Sequence, residues 1–194
     1  MTHRNIVASV ILLVAAPILN AQEVPDSWIA RAELLAHERL MGVRNDPAQA
    51  LNAFTTDGCS GGMSATWRTL ADLFPEFDEL HMSHPPWESC CVMHDRSYHS
   101  AEDAKTAEDS FRARLTADET LRQCVCDTVE TRRDSLRAEY GLSDARIDQA
   151  YDMIAASMFD AVRVGGGPCS GLPWRWGYGW PHCGLFMDLV KNSP

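Results

Sequence analysis

The sequence predicts an all-α protein, and three observations support that class. Apolar residues recur at helical spacing, as in Trp28, Ile29, Leu34, Leu35 and Met41, and again in Ile147, Tyr151, Ile154, Met158 and Val162. Capping residues and glycines bracket these runs, with Ser27 and Ser143 before them and Gly42 and Gly165 after. No stretch shows the apolar–polar alternation of a half-buried strand, and no internal repeat is present.

Taken in order, Asp26 or Ser27 caps a first helix that runs to about Met41 and stops at Gly42. Residues 55–62 form a glycine-rich loop. Ser64 starts a short helix with Trp67, Leu70 and Leu73, which ends before Pro75. Residues 76–86 read as irregular. Pro86 suits the first turn of a helix over residues 87–100, where its missing donor costs nothing. Ser100 opens a further helical segment rich in Ala and Glu. Thr116 and Glu119 have the spacing of a capping box for a long helix to Tyr140, ended by Gly141. Ser143 caps a last helix, stopped by the glycines at 165–167, and the tail is rich in Pro, Gly and Trp.

Residues 1–21 have the build of a secretory signal peptide: a polar start with Arg4, an apolar run over 6–19, and small Ala21 before Gln22. That run is too short to span a bilayer comfortably, and no later segment is longer. The expectation is a secreted or periplasmic protein. Its mature part, residues 22–194, has the length of one domain with its own core. The formal net charge of −10 becomes −11 without Arg4. Such acidity argues against nucleic-acid binding, which rests on Lys and Arg neutralising phosphates. Seven cysteines, at 59, 90, 91, 124, 126, 169 and 183, read as disulfides outside the cytoplasm, and the odd count leaves at least one over.

The segment Cys90-Cys91-Val92-Met93-His94-Asp95-Arg96-Ser97-Tyr98 carries the most chemistry. On a helix, Cys90, His94 and Tyr98 form one stripe, and Cys91 and Asp95 form the next. His94 and Asp95 then point about a hundred degrees apart, so one rigid element serves two partners. The loop Thr56-Asp57-Gly58-Cys59-Ser60-Gly61-Gly62 allows a tight turn with convergent carbonyls, the hard oxygen donors that calcium takes. Cys124-Val125-Cys126-Asp127 lies further on; on an antiparallel helix, Asp127 would meet His94.

Together these segments resemble the secreted phospholipase A2 superfamily, in a divergent form close to bacterial members. Its helix signature, two cysteines, two variable residues, His-Asp and a Tyr three residues on, is matched by Cys90, Cys91, His94, Asp95 and Tyr98. Its Cys-x-Cys-Asp segment is matched by Cys124, Cys126 and Asp127, and its loop cysteine by Cys59. The resemblance covers roughly residues 55–134; the helix and Trp-rich tail over 143–194 lie beyond it.

The resemblance implies two antiparallel, disulfide-linked catalytic helices beside a calcium loop, with a Cys59–Cys91 bridge. It implies His94 as general base, Asp127 as its partner and Tyr98 holding that aspartate. Calcium would be bound by Asp95 and the carbonyls of Gly58, Ser60 and Gly62, with Asp57 as a further ligand. The implied reaction is hydrolysis of the sn-2 acyl ester of glycerophospholipids. Some features depart from the family. About thirty residues separate Cys59 from Cys90, Ser97 replaces a cysteine, and Arg133 lies near where a later one would pair with Cys90. With His94 level with Asp127, Cys90 and Cys126 would be offset by roughly 7.5 Å, beyond the ~6.8 Å a disulfide tolerates. Cys169 or Cys183 is therefore the expected partner of Cys90.

Other readings stand beside this one. A phospholipase-like module that binds calcium, lipid or a protein partner without turnover is one, and a hydrolase of another acyl lipid is a second. Trp174, Trp176 and Trp180 fit an anchor in a phospholipid surface or, equally, a loop folded onto its own helices. His81 and His84, spaced H-x-x-H near Cys90, fit a zinc site, against which stands the use of nearby cysteines in disulfides.

Overall fold

The structure, a computed structural model, describes residues 27–59 and 63–184. The proposed leader (1–21) and the loop residues Ser60 and Gly62 lie outside the described residues. Seven α-helices are described: α1 (Trp28–Arg44), α2 (Met63–Leu73), α3 (Pro75–His81), α4 (Glu88–Ser100), α5 (Ala107–Asp127), α6 (Val129–Tyr140) and α7 (Asp144–Gly165). No strand occurs among the described residues, so the all-α expectation holds. None of these helices is long and apolar enough to cross a membrane.

Helix α5 is the centre of the bundle and packs against α1, α4 and α7. One core lies between Leu121 and Val125 of α5, Cys90 and Cys91 of α4, and Ile147, Tyr151 and Ala155 of α7. A second joins Leu40 and Met41 of α1 to Tyr98, Ala117 and Trp176. Each large apolar side chain buried this way contributes about 1.5–3 kcal/mol.

Several element boundaries differ from the sequence expectation. Helix α1 continues through Gly42 to Arg44. A helical glycine costs only about 1 kcal/mol, and Arg44 holds the last turn by donating to the carbonyls of Ala101 (3.0 Å) and Glu102 (2.9 Å). The stretch read as irregular contains α3, with Pro75 in its first turn and Glu76 and Asp78 at its positive end. The cap of helix α5 lies ten residues ahead of Thr116: it is Thr106, accepting from the Asp109 N–H at 3.1 Å. Thr116 is mid-helix, where the backbone N–H groups already have intrahelical acceptors and a capping side chain has no orphan donor to satisfy. The single long helix to Tyr140 is instead two, α5 and α6, which meet at Thr128.

The α4–α5 pair is an antiparallel hairpin closed by residues 101–106. Its register is read from three cross-links: Cys90 to Cys124, His94 to Asp118, and Tyr98 to Arg114. The disulfides are Cys59–Cys91, as the resemblance implied, Cys90–Cys124 and Cys169–Cys183, with Cα separations of 5.1, 5.8 and 4.8 Å. Cys90 therefore pairs with neither Cys169 nor Cys183, because those two close the tail on itself. Cys126 is a free thiol whose Sγ lies 3.6 Å from Asp152.

The C-terminal strap explains how α4 ends. The final carbonyls of a helix lack intrahelical donors. Here Gly177 N–H donates to Tyr98 O (2.6 Å), Gly179 N–H to His99 O (3.0 Å) and Trp180 Nε1 to Ser100 O (2.9 Å). Gly177, at φ +73°, and Gly179 permit this approach, since a Cβ would meet Leu40 at the first and the His99 ring at the second. The Trp-rich tail is thus folded onto the helices. Trp176 is fully buried, so it cannot serve as the surface anchor considered from sequence, while Trp174 and Trp180 are half-buried.

Candidate active site

Both stripes of α4 are buried, and they face different partners. Cys90, His94 and Tyr98 face α5. Cys91 and Asp95 face the loop, with Cys91 bonded to Cys59 and Asp95 accepting the Thr56 hydroxyl at 2.5 Å.

On the first side, His94 Nε2 lies 2.9 Å from Asp118 Oδ1, and the Tyr98 hydroxyl donates to the same oxygen at 2.7 Å. Asp118 is fully buried. A carboxylate accepts only, so Nε2 carries the proton and Nδ1 is left with the lone pair. Nδ1 has no protein hydrogen bond among the described residues. Burial, against the counter-effect of Arg114, holds the Tyr98 phenol well above its ordinary pKa, so it remains a donor.

The aspartate is not the one expected. Asp127 is exposed and accepts from Gln123 Nε2 at 2.8 Å, one turn back on its own helix. The hairpin register puts Asp118, not Asp127, level with His94. Tyr98 does hold the partner aspartate, but that partner is Asp118. Counting outward from the six-residue link sets His94 opposite Ala113, five residues short of Asp118, so the link length alone does not find it; the local cue is Arg114, one turn before Asp118.

Behind Asp118 lies a partly buried ionic network. Arg163 Nη1 donates to Asp118 Oδ2 at 2.9 Å, and Arg163 Nη2 reaches both Glu33 oxygens at 3.0 and 2.9 Å. Arg114 donates to Tyr98 Oη (3.1 Å) and pairs with Glu33. Burial pushes the Glu33 carboxyl up, but His37, Arg114 and Arg163 overcome it and hold its pKa at about 2. Nearby, His37 Nδ1 lies 2.8 Å from Ser110 Oγ, with Glu33 3.5 Å from the other nitrogen. This Ser–His–Glu chain has no access to substrate: Ser110 is fully buried and accepts from Trp176 Nε1 at 2.9 Å.

On the second side, Asp57 and Asp95 line one cavity of ≈ 300 Å³ with Thr55, Thr56, Tyr178, Pro173 and Trp174. Burial and the like charge of Asp57 raise Asp95, Thr56 and His94 lower it, and the result is a carboxyl pushed up to about 6. Gly58 forms the loop's turn at φ +80°, where a Cβ would strike Glu88 and Ser64. The Cys59 N–H donates to Ser64 Oγ at 2.8 Å.

These oxygens suit calcium: two carboxylates and threonine oxygens, all hard donors, on a rigid helix and a pinned loop. No group of three or more His, Cys, Asp or Glu side chains converges among the described residues, so backbone oxygens would complete any such site. The zinc reading fails on the cysteine, because Cys90 is in a disulfide; His81 lies 2.8 Å from the Tyr140 hydroxyl.

The two sides meet at an apolar cavity of ≈ 170 Å³, reached by both His94 and Asp95 and walled by Met63, Leu121, Met158, Val162 and Trp174. Trp174 and Asp95 line both cavities. Comparison with family models, with curated proteins and with solved structures finds no match to this chain.

Proposed function

We propose that the chain is an exported, calcium-dependent hydrolase that cleaves the sn-2 acyl ester of glycerophospholipids. The observation that carries this reading is the His94–Asp118 pair opening into an apolar cavity, with the Asp57/Asp95 carboxylates one helix stripe away. The compartment rests on the leader-like residues 1–21 and on three disulfides.

In this reading the acyl chain lies against Met63, Leu121 and Met158, where burial of its methylenes gives about 0.8 kcal/mol each. Neutral His94 takes a proton from water through Nδ1 as the water oxygen bonds to the ester carbonyl carbon. Asp118, hydrogen-bonded to Nε2, fixes the tautomer and favours the transient imidazolium. The carbon–oxygen ester bond then breaks, and His94 returns the proton to the glycerol oxygen, giving fatty acid and lysophospholipid. Asp95, Asp57 and the loop oxygens would hold calcium, whose charge serves the substrate phosphate and the developing oxyanion.

The test is fatty-acid release from phospholipid–detergent mixed micelles, with calcium and with chelator, beside His94→Ala. Release that requires both calcium and His94 supports the reading, and chain-labelled lipid assigns the position. Absence of release from folded protein across several phospholipids contradicts it and leaves a calcium- or lipid-binding module.

A further inference from the structure

The two oxygens of Asp118 have separate duties. Oδ1 takes both the imidazole of His94 and the phenol of Tyr98, while Oδ2 takes Arg163 Nη1. Arg163 sits at the end of α7, and its reach is fixed from behind. Its Nη2 is shared between the two oxygens of Glu33, on α1. The same turn of α7 is tied to α5, because Arg114 Nη2 donates to the carbonyls of Val162 (2.7 Å) and Arg163 (2.8 Å). Helices α1, α5 and α7 therefore converge on one planar guanidinium. Two carboxylates, Glu33 and Asp118, alternate with two guanidiniums, Arg114 and Arg163, so this partly buried group of four carries no net charge.

A carboxylate turns easily about its terminal torsion, which is broad and roughly two-fold. Donors on Oδ1 alone would leave the plane of Asp118 free to swing, and with it the acceptor that orients His94. A planar fork anchored at its far end stops that rotation, which a point charge does not.

We propose that Arg163 is a positioning residue for the His94–Asp118 pair: clamped by Glu33, it fixes the plane of the Asp118 carboxylate so that Oδ1 stays on the imidazole. Arg163 acts through Asp118 and touches no reacting atom. Its effect on turnover rests on the hydrolase reading, whereas its effect on the imidazole proton does not.

Arg163→Lys separates positioning from simple charge neutralisation, because it keeps the cation and loses the fork. The expected result is a protein with native helical content, kcat lowered about 10–100-fold and KM unchanged, the loss typical of removing an orienting partner. Glu33→Gln keeps the Arg163–Asp118 contact but loosens the anchor, and should lower kcat in the same sense by less. The His94 Nε2 proton, followed by NMR on nitrogen-labelled protein, should shift or broaden in both variants without any substrate. Native kcat in folded Arg163→Lys overturns the proposal. If that variant fails to fold, Glu33→Gln decides, and an unaltered kcat and proton signal there overturn it. If the parent protein hydrolyses no phospholipid, the hydrolase reading falls separately. The proton signal then judges Arg163 alone: displaced, the positioning role stands, and unmoved, it does not.

Discussion

The two buried stripes of α4 are held in different ways. Behind His94 Nε2 the protein supplies opposite charge: Asp118, Tyr98, Arg163, Arg114 and Glu33 form a network with paired charges. Around Asp95 burial dominates: it pushes the carboxyl up to about 6 against the Thr56 hydroxyl and His94, and Asp57, in the same cavity, adds like charge. In the proposed function the first arrangement serves proton transfer and the second takes the cation. Both are set by adjacent residues on one helix, whose last carbonyls are held by the strap at Gly177, Gly179 and Trp180.

The strongest ways to break this contrast are substitutions on each face. His94→Ala is expected to lower fatty-acid release by ~10²–10⁴-fold, the range for a general base. Asp95→Asn should cost at least as much and should also remove calcium binding, since the oxyanion stabiliser goes with the metal; calorimetric calcium titration separates it from His94→Ala, which should still bind. Asp118→Asn should cost about 10–100-fold in kcat without changing calcium affinity.

The pH dependence of stability sharpens the same comparison. Asp95 is raised in the fold, from 3.8 to about 6, so the folded state holds its proton more tightly than the unfolded chain. Its contribution to stability is therefore present below pH 4 and is lost as pH rises towards 6. Glu33 has the opposite sign. Lowered from 4.5 to about 2, it stabilises fully above its unfolded value and loses that contribution as pH falls towards 2. Thermal midpoints across pH 2–7 in chelator should thus decline at both ends of that range from these two groups, and calcium should restore only the upper end. A calcium effect confined to the acidic end contradicts the assignment of Asp95.

Away from both faces, Trp176→Ala should destabilise by about 3–5 kcal/mol in denaturant unfolding, since it empties a fully buried site and strips Ser110 of a donor. The smallest effects are expected at Asp127→Asn and Cys126→Ser, with activity near the parent's.

The stripes of α4 were legible because helical periodicity depends on nothing beyond the segment itself, and so were the ends at Gly141 and residues 165–167. The partner of His94 was not, because it depends on register between two helices. The Cys-x-Cys-Asp resemblance gave the role to Asp127, whereas the register tied by the Cys90–Cys124 bridge sets Asp118, nine residues earlier, against His94. The Cys90 bridge failed for the same reason. Glu33, Arg114 and Arg163 lie on three helices and carry no local signature; only the fold brings them together. Gly177 and Gly179 read as loop residues, although it is their close approach to Leu40 and His99 that demands glycine.

The most direct measurement is initial-rate fatty-acid release, with calcium, by the parent chain, Asp118→Asn and Asp127→Asn side by side. The account predicts calcium-dependent release, a kcat about 10–100-fold lower for Asp118→Asn, and parent-like rates for Asp127→Asn. Release unaffected by Asp118→Asn, or abolished by Asp127→Asn in a folded protein, would contradict it.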